Sequence, residues 1–336
     1  DGMEAGIEEK EINVQYTLCS NLQCLSSEQL AYLVEKKIHI STTLHGPSDV
    51  HEKLRPTAGG GEFEALSLAL KDIRSAYDAQ PWSKGRSYVE ATMTIGQATR
   101  GRVSDIIDAY ISMGIDCISI QVPTNESIEE IELADHLECH QKLLKTVIQR
   151  AASGGSLMAR DAAVLSSRII EGRDSGVLYP DYPVGPGMAS WCVDPTGKIY
   201  TSLGGYRVSL GDDELFLIGH TSTSQYAEII GHEVVRSIAI ASVLDGHPGC
   251  VNCAFLPYCG VSPEYNYASQ NSLAGRMIDS LWCQRMISSQ AFIFETIKGA
   301  RPSETDVLRK WAAKPMSSHF VLSSDQHGNL VGPVVD

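Results

Sequence analysis

Tyr88-Val-Glu-Ala-Thr-Met-Thr-Ile95, then a helical stretch over 103–113, then Cys117-Ile-Ser-Ile-Gln-Val122, is the part of the sequence on which the fold turns. An apolar run, an amphipathic helix and a second apolar run in succession make a parallel strand–helix–strand unit. The same unit recurs on either side. Upstream, Ile12-Asn-Val-Gln-Tyr-Thr-Leu18 reads as a strand and 27–37 as its helix, with Ser26 or Ser27 placed to cap it. Ile38-His-Ile-Ser-Thr-Thr-Leu44 is a further strand, followed by the Gly46-Pro47 turn and a long loop to Gly61. Residues 62–79 carry Phe63, Leu66, Leu70, Ile73 and Tyr77 on one helix face. Downstream, 128–152 is a fourth helix. This alternation predicts an α/β fold with parallel strands, either half or more of a (β/α) barrel or a doubly wound sheet.

The pattern changes after Gly172 to a chain rich in Pro, Gly and Tyr. Trp191-Cys-Val-Asp-Pro-Thr-Gly-Lys-Ile-Tyr200 reads as a hairpin turning at 194–197, and 225–241 reads as a helix. Then comes His247-Pro-Gly-Cys-Val-Asn-Cys-Ala-Phe-Leu-Pro-Tyr-Cys-Gly260, whose prolines and glycines interrupt regular structure and let the backbone wrap a small object. Cys250, Cys253 and Cys259 lie in it, and Cys283 follows at the start of a helical stretch. Four such thiolates can close one tetrahedral site, and soft sulfur selects zinc or an iron–sulfur cluster. Residue spacing does not choose between the two. The domains expected are 1–172 for the strand–helix units, 185–300 for the hairpin and cysteine module, and 301–336 as a polar tail.

Composition narrows the function classes. Asp and Glu number 41 against 27 Lys and Arg, a formal net charge of −14, which argues against a non-specific nucleic-acid surface. No apolar run approaches the ~18 residues of a membrane span, and no secretory signal pattern opens the chain, so a cytoplasmic location without a membrane partner is expected. The 9 cysteines are odd in number and grouped by spacing, as reduced ligands and thiols are. His220, His232, His247 and Glu233 are too dispersed for a catalytic zinc site, Gly59-Gly-Gly61 lacks a phosphate-loop ending, and no GxSxG supports a hydrolase.

Cys192 with Asp194, Gly197 and Tyr200, then Cys250-x2-Cys253-x5-Cys259-Gly260-x2-Pro263 and Cys283, resemble the SPASM-type auxiliary-cluster domain of radical S-adenosylmethionine (SAM) peptide maturases. Ile40-Ser-Thr-Thr-Leu-His-Gly-Pro47, with Asp49, His51, Arg55 and Pro56, looks like the fourth-strand segment of the same enzymes. Within the family the chain is especially similar to the His-Xaa-Ser system radical SAM maturases, through Cys250-Val-Asn-Cys-Ala-Phe-Leu-Pro-Tyr-Cys-Gly-Val-Ser-Pro263, Tyr265, Tyr267-Ala268 and Phe292-Ile-Phe294. The likeness runs from about residue 12 to 312.

The resemblance implies a partial, TIM-barrel-like radical SAM (β/α) barrel followed by a small SPASM-type iron–sulfur domain. It implies an enzyme that matures a peptide or protein by hydrogen abstraction, in which a reduced catalytic [4Fe–4S] cluster cleaves SAM to a 5′-deoxyadenosyl radical. Its partners would be the substrate and an electron donor. An auxiliary [4Fe–4S] cluster would sit on Cys250, Cys253, Cys259 and Cys283, with Cys192 a possible additional contact. Thr42, His45, Thr92, Thr94 and Gln121, at the C-terminal strand ends where such sites gather, would contact SAM or substrate. His45 stands where many relatives carry Asp, and Asp49, His51 and Arg55 could anchor the loop beside it.

Two departures matter. The cysteines of a second auxiliary cluster are absent, Pro263 standing in one place. The catalytic Cys-x3-Cys-x2-Cys is also absent, the nearest pair being Cys19-x4-Cys24 on a different strand. With residues 1–10 reading as the tail of a helix that feeds the Ile12 strand, the expectation is an N-terminally truncated chain without its catalytic-cluster region. The alternative is a non-catalytic peptide-binding or scaffold protein with a structural four-cysteine metal site.

Overall fold

The computed structural model describes residues 16–56, 61–83, 88–121, 132–172, 185–299 and 301–313, with short segments at 323–324 and 330–331. The chain divides into two compact units, the first made of 1–121, 138–171 and 300–336, the second of 122–137 and 172–299.

The first unit is built on five parallel strands in sequential order, β1 (Thr17–Cys19), β2 (His39–Thr43), β3 (Val89–Thr94), β4 (Cys117–Gln121) and β5 (Met158–Ala159). The α/β fold is as expected, but the sheet is not closed into a barrel among the described residues. Helix α1 (Ser27–Glu35) starts at a capping box, Ser26 Oγ accepting from Gln29 N while Gln29 Oε1 accepts from Ser26 N. The loop expected from Gly46 to Gly61 contains a short helix, α2 (Ser48–Leu54), which buries Val50 and His51 behind Pro47. Its two turns are too brief to show a periodicity. Helices α3 (Glu62–Asp78), α4 (Val103–Ser112) and α5 (Leu133–Ala152) follow their expected strands. The expected start of the last, 128–131, lies outside the described residues, as do most of the Ile12 strand and the helix tail before it.

Strand register sorts the side chains. Ile40, Thr42, Ala91, Met93, Ile118 and Ile120 point to one face and are buried. The tyrosines of the neighbouring helices tie themselves to this layer, Tyr77 OH donating to Ile38 O at 2.6 Å and Tyr110 OH to Leu44 O at 2.6 Å. The opposite face carries Cys19, Ser41, Thr43, Glu90, Thr92, Thr94, Ser119 and Gln121, with buried Cys117 and Met158 at its N-terminal end. Parallel strands covered on both sides are normally apolar throughout. A sheet with one polar face has that face reserved for something other than core.

Beyond β5 the chain forms α6 (Arg160–Ser166), almost wholly buried, and one π-helical turn, Ser167–Glu171. Both pack against the helix Pro302–Ala313, which buries Val307, Leu308 and Trp311. The start of the segment read as a tail is thus part of the first unit's core.

The second unit opens with the expected hairpin, β6 (Cys192–Val193) and β7 (Lys198–Tyr200), completed by β8 (Leu217–His220) as an antiparallel sheet. Asp194 Oδ1 shapes the turn by accepting from the backbone of Thr196 and Lys198 at 2.8 and 3.0 Å. Helix α7 (Leu203–Ser209) is capped by Ser202. The single helix expected over 225–241 is two, α8 (Tyr226–Ile230) and α9 (Glu233–Ala241), because Gly231 ends the first and His232 caps the second. Ile199, Phe216, Ile218, Ile229, Val235 and Ile238 form the core. The cysteine module continues into α10 (Pro263–Gln270) and α11 (Leu281–Gly299).

Candidate functional site

The knuckle is a chain of tight turns. Cys250 N donates to His247 O at 2.8 Å, Cys253 N to Cys250 O at 2.8 Å, Leu256 N to Cys253 O at 3.1 Å and Cys259 N to Leu256 O at 3.2 Å. These i to i+3 bonds use the backbone groups that a helix or strand would pair elsewhere, and leave the side chains of three cysteines on a compact loop. Two features attach it to α11. Trp282 Nε1 donates to Gly260 O at 2.9 Å, and Phe294 packs against Tyr258 and Phe255 with centroids 5.3 and 6.1 Å away. Cys283 lies between these contacts on the helix. Cys250, Cys259 and Cys283 pack together on a small core of Leu244, Val261 and Met277. Buried Glu264, in the first turn of α10, accepts from the Thr201 and Ser202 hydroxyls and so fastens the exit of the knuckle to β7.

None of the four cysteines is in a disulfide, and all are half-buried. Burial first, then Cys283, Cys250 and Cys253, push the Cys259 thiol up to about 12 despite the nearby Gln290 amide. Burial, then Cys250 and Cys253, push Cys283 up to about 11, and burial with Cys253 raises Cys250. Every pair among the four is thus within electrostatic reach. Among the described residues, however, no group of three or more His, Cys, Asp or Glu is gathered as tightly as one metal ion requires. Cys192 stands apart, acted on by burial, Asp194 and Glu264 and by none of the four thiols.

In the first unit the sheet register brings Thr92, Thr94 and Gln121 onto the polar face, with Thr43 and Ser119 paired beside them. Thr42 is not among them. It points to the apolar face and is buried, its Oγ1 without a hydrogen-bond partner. Sequence reading missed Thr43, Ser119 and the pair Glu90–Arg160, in which Arg160 Nε donates to Glu90 Oε1 at 2.8 Å on the N-terminal part of that face. A cavity of about 320 Å³ lined by Lys71, Arg74 and Asp116 lies at the opposite, N-terminal ends of the strands, away from these threonines.

His45 ties β2 to β3: its Nδ1 accepts from Thr94 N at 3.1 Å, and its own N donates to Nδ1 of buried His51 at 3.3 Å. An imidazole nitrogen here takes the acceptor part that a carboxylate could take. The neighbouring ion pairs differ from the expected set, Asp49 binding Arg102 and Arg55 Nε meeting Glu62 at 3.0 Å. Gly46, with φ of 126°, passes so close to α4 that a Cβ would stand 2.7 Å from Ile106.

Both histidines accept through Nδ1 and are therefore neutral. Burial, then His51 and Arg55, hold the His45 pKa down to about 4. In the unfolded chain an imidazole protonates near ~6.5. Between those values the unfolded chain binds a proton that the folded chain refuses, so stability falls as pH falls through the window. The loss reaches ~1.4 kcal/mol per pH unit, or about 3 kcal/mol across the window. Urea midpoints near pH 7 and 4.5 measure it: the wild type is expected to lose more than His45→Gln, and equal losses would count against the assignment.

No protein-family model and no curated protein match the chain. Among solved structures its fold is shared with proteins that carry bound AdoMet, also written S-adenosylmethionine. Those proteins are His-tagged anSMEcpe with bound AdoMet (TM-score 0.70, 12% identity, 94% of this chain and 80% of that one), native anSMEcpe with AdoMet and the Kp18Cys peptide (0.67, 14%, 92% and 80%), and Streptococcus suis SuiB bound to S-adenosylmethionine (0.54, 15%, 84% and 62%). At such identities the likeness is one of fold. No helix among the described residues is long and apolar enough to cross a membrane.

Proposed function

We propose that this chain is the substrate-handling and auxiliary-cluster part of a radical SAM enzyme that matures a peptide or protein, with one [4Fe–4S] cluster held by Cys250, Cys253, Cys259 and Cys283. The observation that carries the reading is the shared packing of knuckle and α11 around these cysteines, in a chain folded like proteins solved with AdoMet and with peptides. Four thiolates accept zinc or an iron–sulfur cluster alike, and the resemblance to the auxiliary-cluster domain favours the cluster.

On this reading the five strands are an arc of a (β/α) barrel, and Thr43, Thr92, Thr94, Ser119 and Gln121 line the surface that meets SAM and substrate. His45 holds two strand ends in register beside that surface, and Thr42 is a packing residue. SAM, when bound with a reduced catalytic cluster, supplies hydrogen abstraction. The cysteines for that cluster do not occur in these 336 residues, so the step is assigned to none of them. An electron donor is the further partner, and the knuckle sequence supports the His-Xaa-Ser maturation subtype.

Anaerobic reconstitution with iron and sulfide tests the assignment. Iron and acid-labile sulfide in near-equal amounts are expected. Stoichiometric zinc without sulfide would overturn it and leave a non-catalytic scaffold with a structural four-cysteine site.

A further inference from the structure

Gln290 is fully buried on α11, and neither atom of its side-chain amide has a hydrogen-bond partner among the described residues. It lies two helical turns beyond Cys283 and one before Phe294, on the stripe that faces the knuckle between the Trp282–Gly260 and Phe294–Tyr258 contacts. Ser280 Oγ, one turn before Cys283, is likewise buried without a partner. A buried amide left without its hydrogen bonds is destabilising where a leucine of similar size would not be. Such a group calls for a partner that the described residues do not supply. Phe294, one turn further along the same stripe, packs against Tyr258, the chain neighbour of Cys259, so this stripe of α11 lies over the loop that carries the Cys259 sulfur.

Building on the cluster assignment, we propose that Gln290 is a positioning residue that tunes the reduction potential of the cluster on Cys250, Cys253, Cys259 and Cys283, its amide N–H donating to the ligating Cys259 sulfur. A hydrogen bond to a ligand sulfur withdraws electron density and stabilises the reduced, more negative state, which raises the potential. The step tuned is the uptake of one electron by the cluster, with no atom gained or lost.

The test is a dithionite titration of the reconstituted full chain in the presence of redox mediators, read by absorbance and electron paramagnetic resonance. Gln290→Leu is expected to keep its iron and sulfide but to show a roughly tenfold lower reduced-to-oxidised ratio at fixed poise, about 59 mV for one electron. Should Gln290→Leu fail to fold, Gln290→Met is read by the same criterion. A loaded variant with the wild-type potential overturns the proposal while leaving the cluster assignment intact. A wild-type chain that takes up no iron and sulfide overturns both.

Discussion

Replacing Cys253 by serine is expected to abolish cluster loading, with iron and sulfide falling to background, and to expose residues 244–299 to protease. The reason is how little else orders the segment. Its own core has three fully buried apolar side chains, Leu244, Val261 and Met277, and the backbone from His247 to Cys259 is held by single turns. Where the polypeptide cannot bury enough apolar surface, metal binding is folding free energy, of order 10 kcal/mol for structural sites. Cys192→Ser is the control: its thiol stands apart from the four and should leave iron content unchanged. Full loading and unchanged proteolysis in Cys253→Ser would remove the physical basis of the assignment.

Glu90→Ala should be the most destabilising single change on the polar face of the sheet. Glu90 and Arg160 are only 17% and 11% exposed, and Arg160 makes a two-pronged contact with the carboxylate. Removing the carboxylate leaves a buried guanidinium without its two-pronged ion pair, typically at ~3–5 kcal/mol. Asp161 lies near enough to relieve some of this, but it already engages His140 Nε2 at 3.3 Å. Exchanging both residues for methionine should restore most of the loss, since a well-packed apolar pair replaces the ion pair at little cost. Denaturant midpoints for the single and double variants decide it. A single-variant loss under ~1 kcal/mol would place the pair in effective contact with water.

The strand–helix alternation was readable because each element of the first unit carries its own period: Val89 to Thr94 alternate, and Leu66, Leu70, Ile73 and Tyr77 repeat at helical spacing. That alternation also held a signal that went unused. In a parallel strand it marks a polar face, and carried across the register it selects Thr43 with Thr92 and Thr94, where choosing by position alone had selected Thr42. Short or interrupted elements escaped for a local reason. The two turns of α2 and the Gly231–His232 break are settled by caps and packing, which periodicity does not encode. Helix Pro302–Ala313 escaped for a distant one, since its apolar face is matched by α6 about 140 residues earlier.

From sequence alone came the α/β class, the hairpin and the four cysteines with their spacing, because these depend on residues that are neighbours in the chain. Which threonines share a face, which carboxylate holds Arg160 and which buried amide lies beside the thiols were decided only by the tertiary structure. Those outcomes depend on strand register and on burial by remote segments, and a side chain's partner is whatever the completed packing leaves within hydrogen-bond reach.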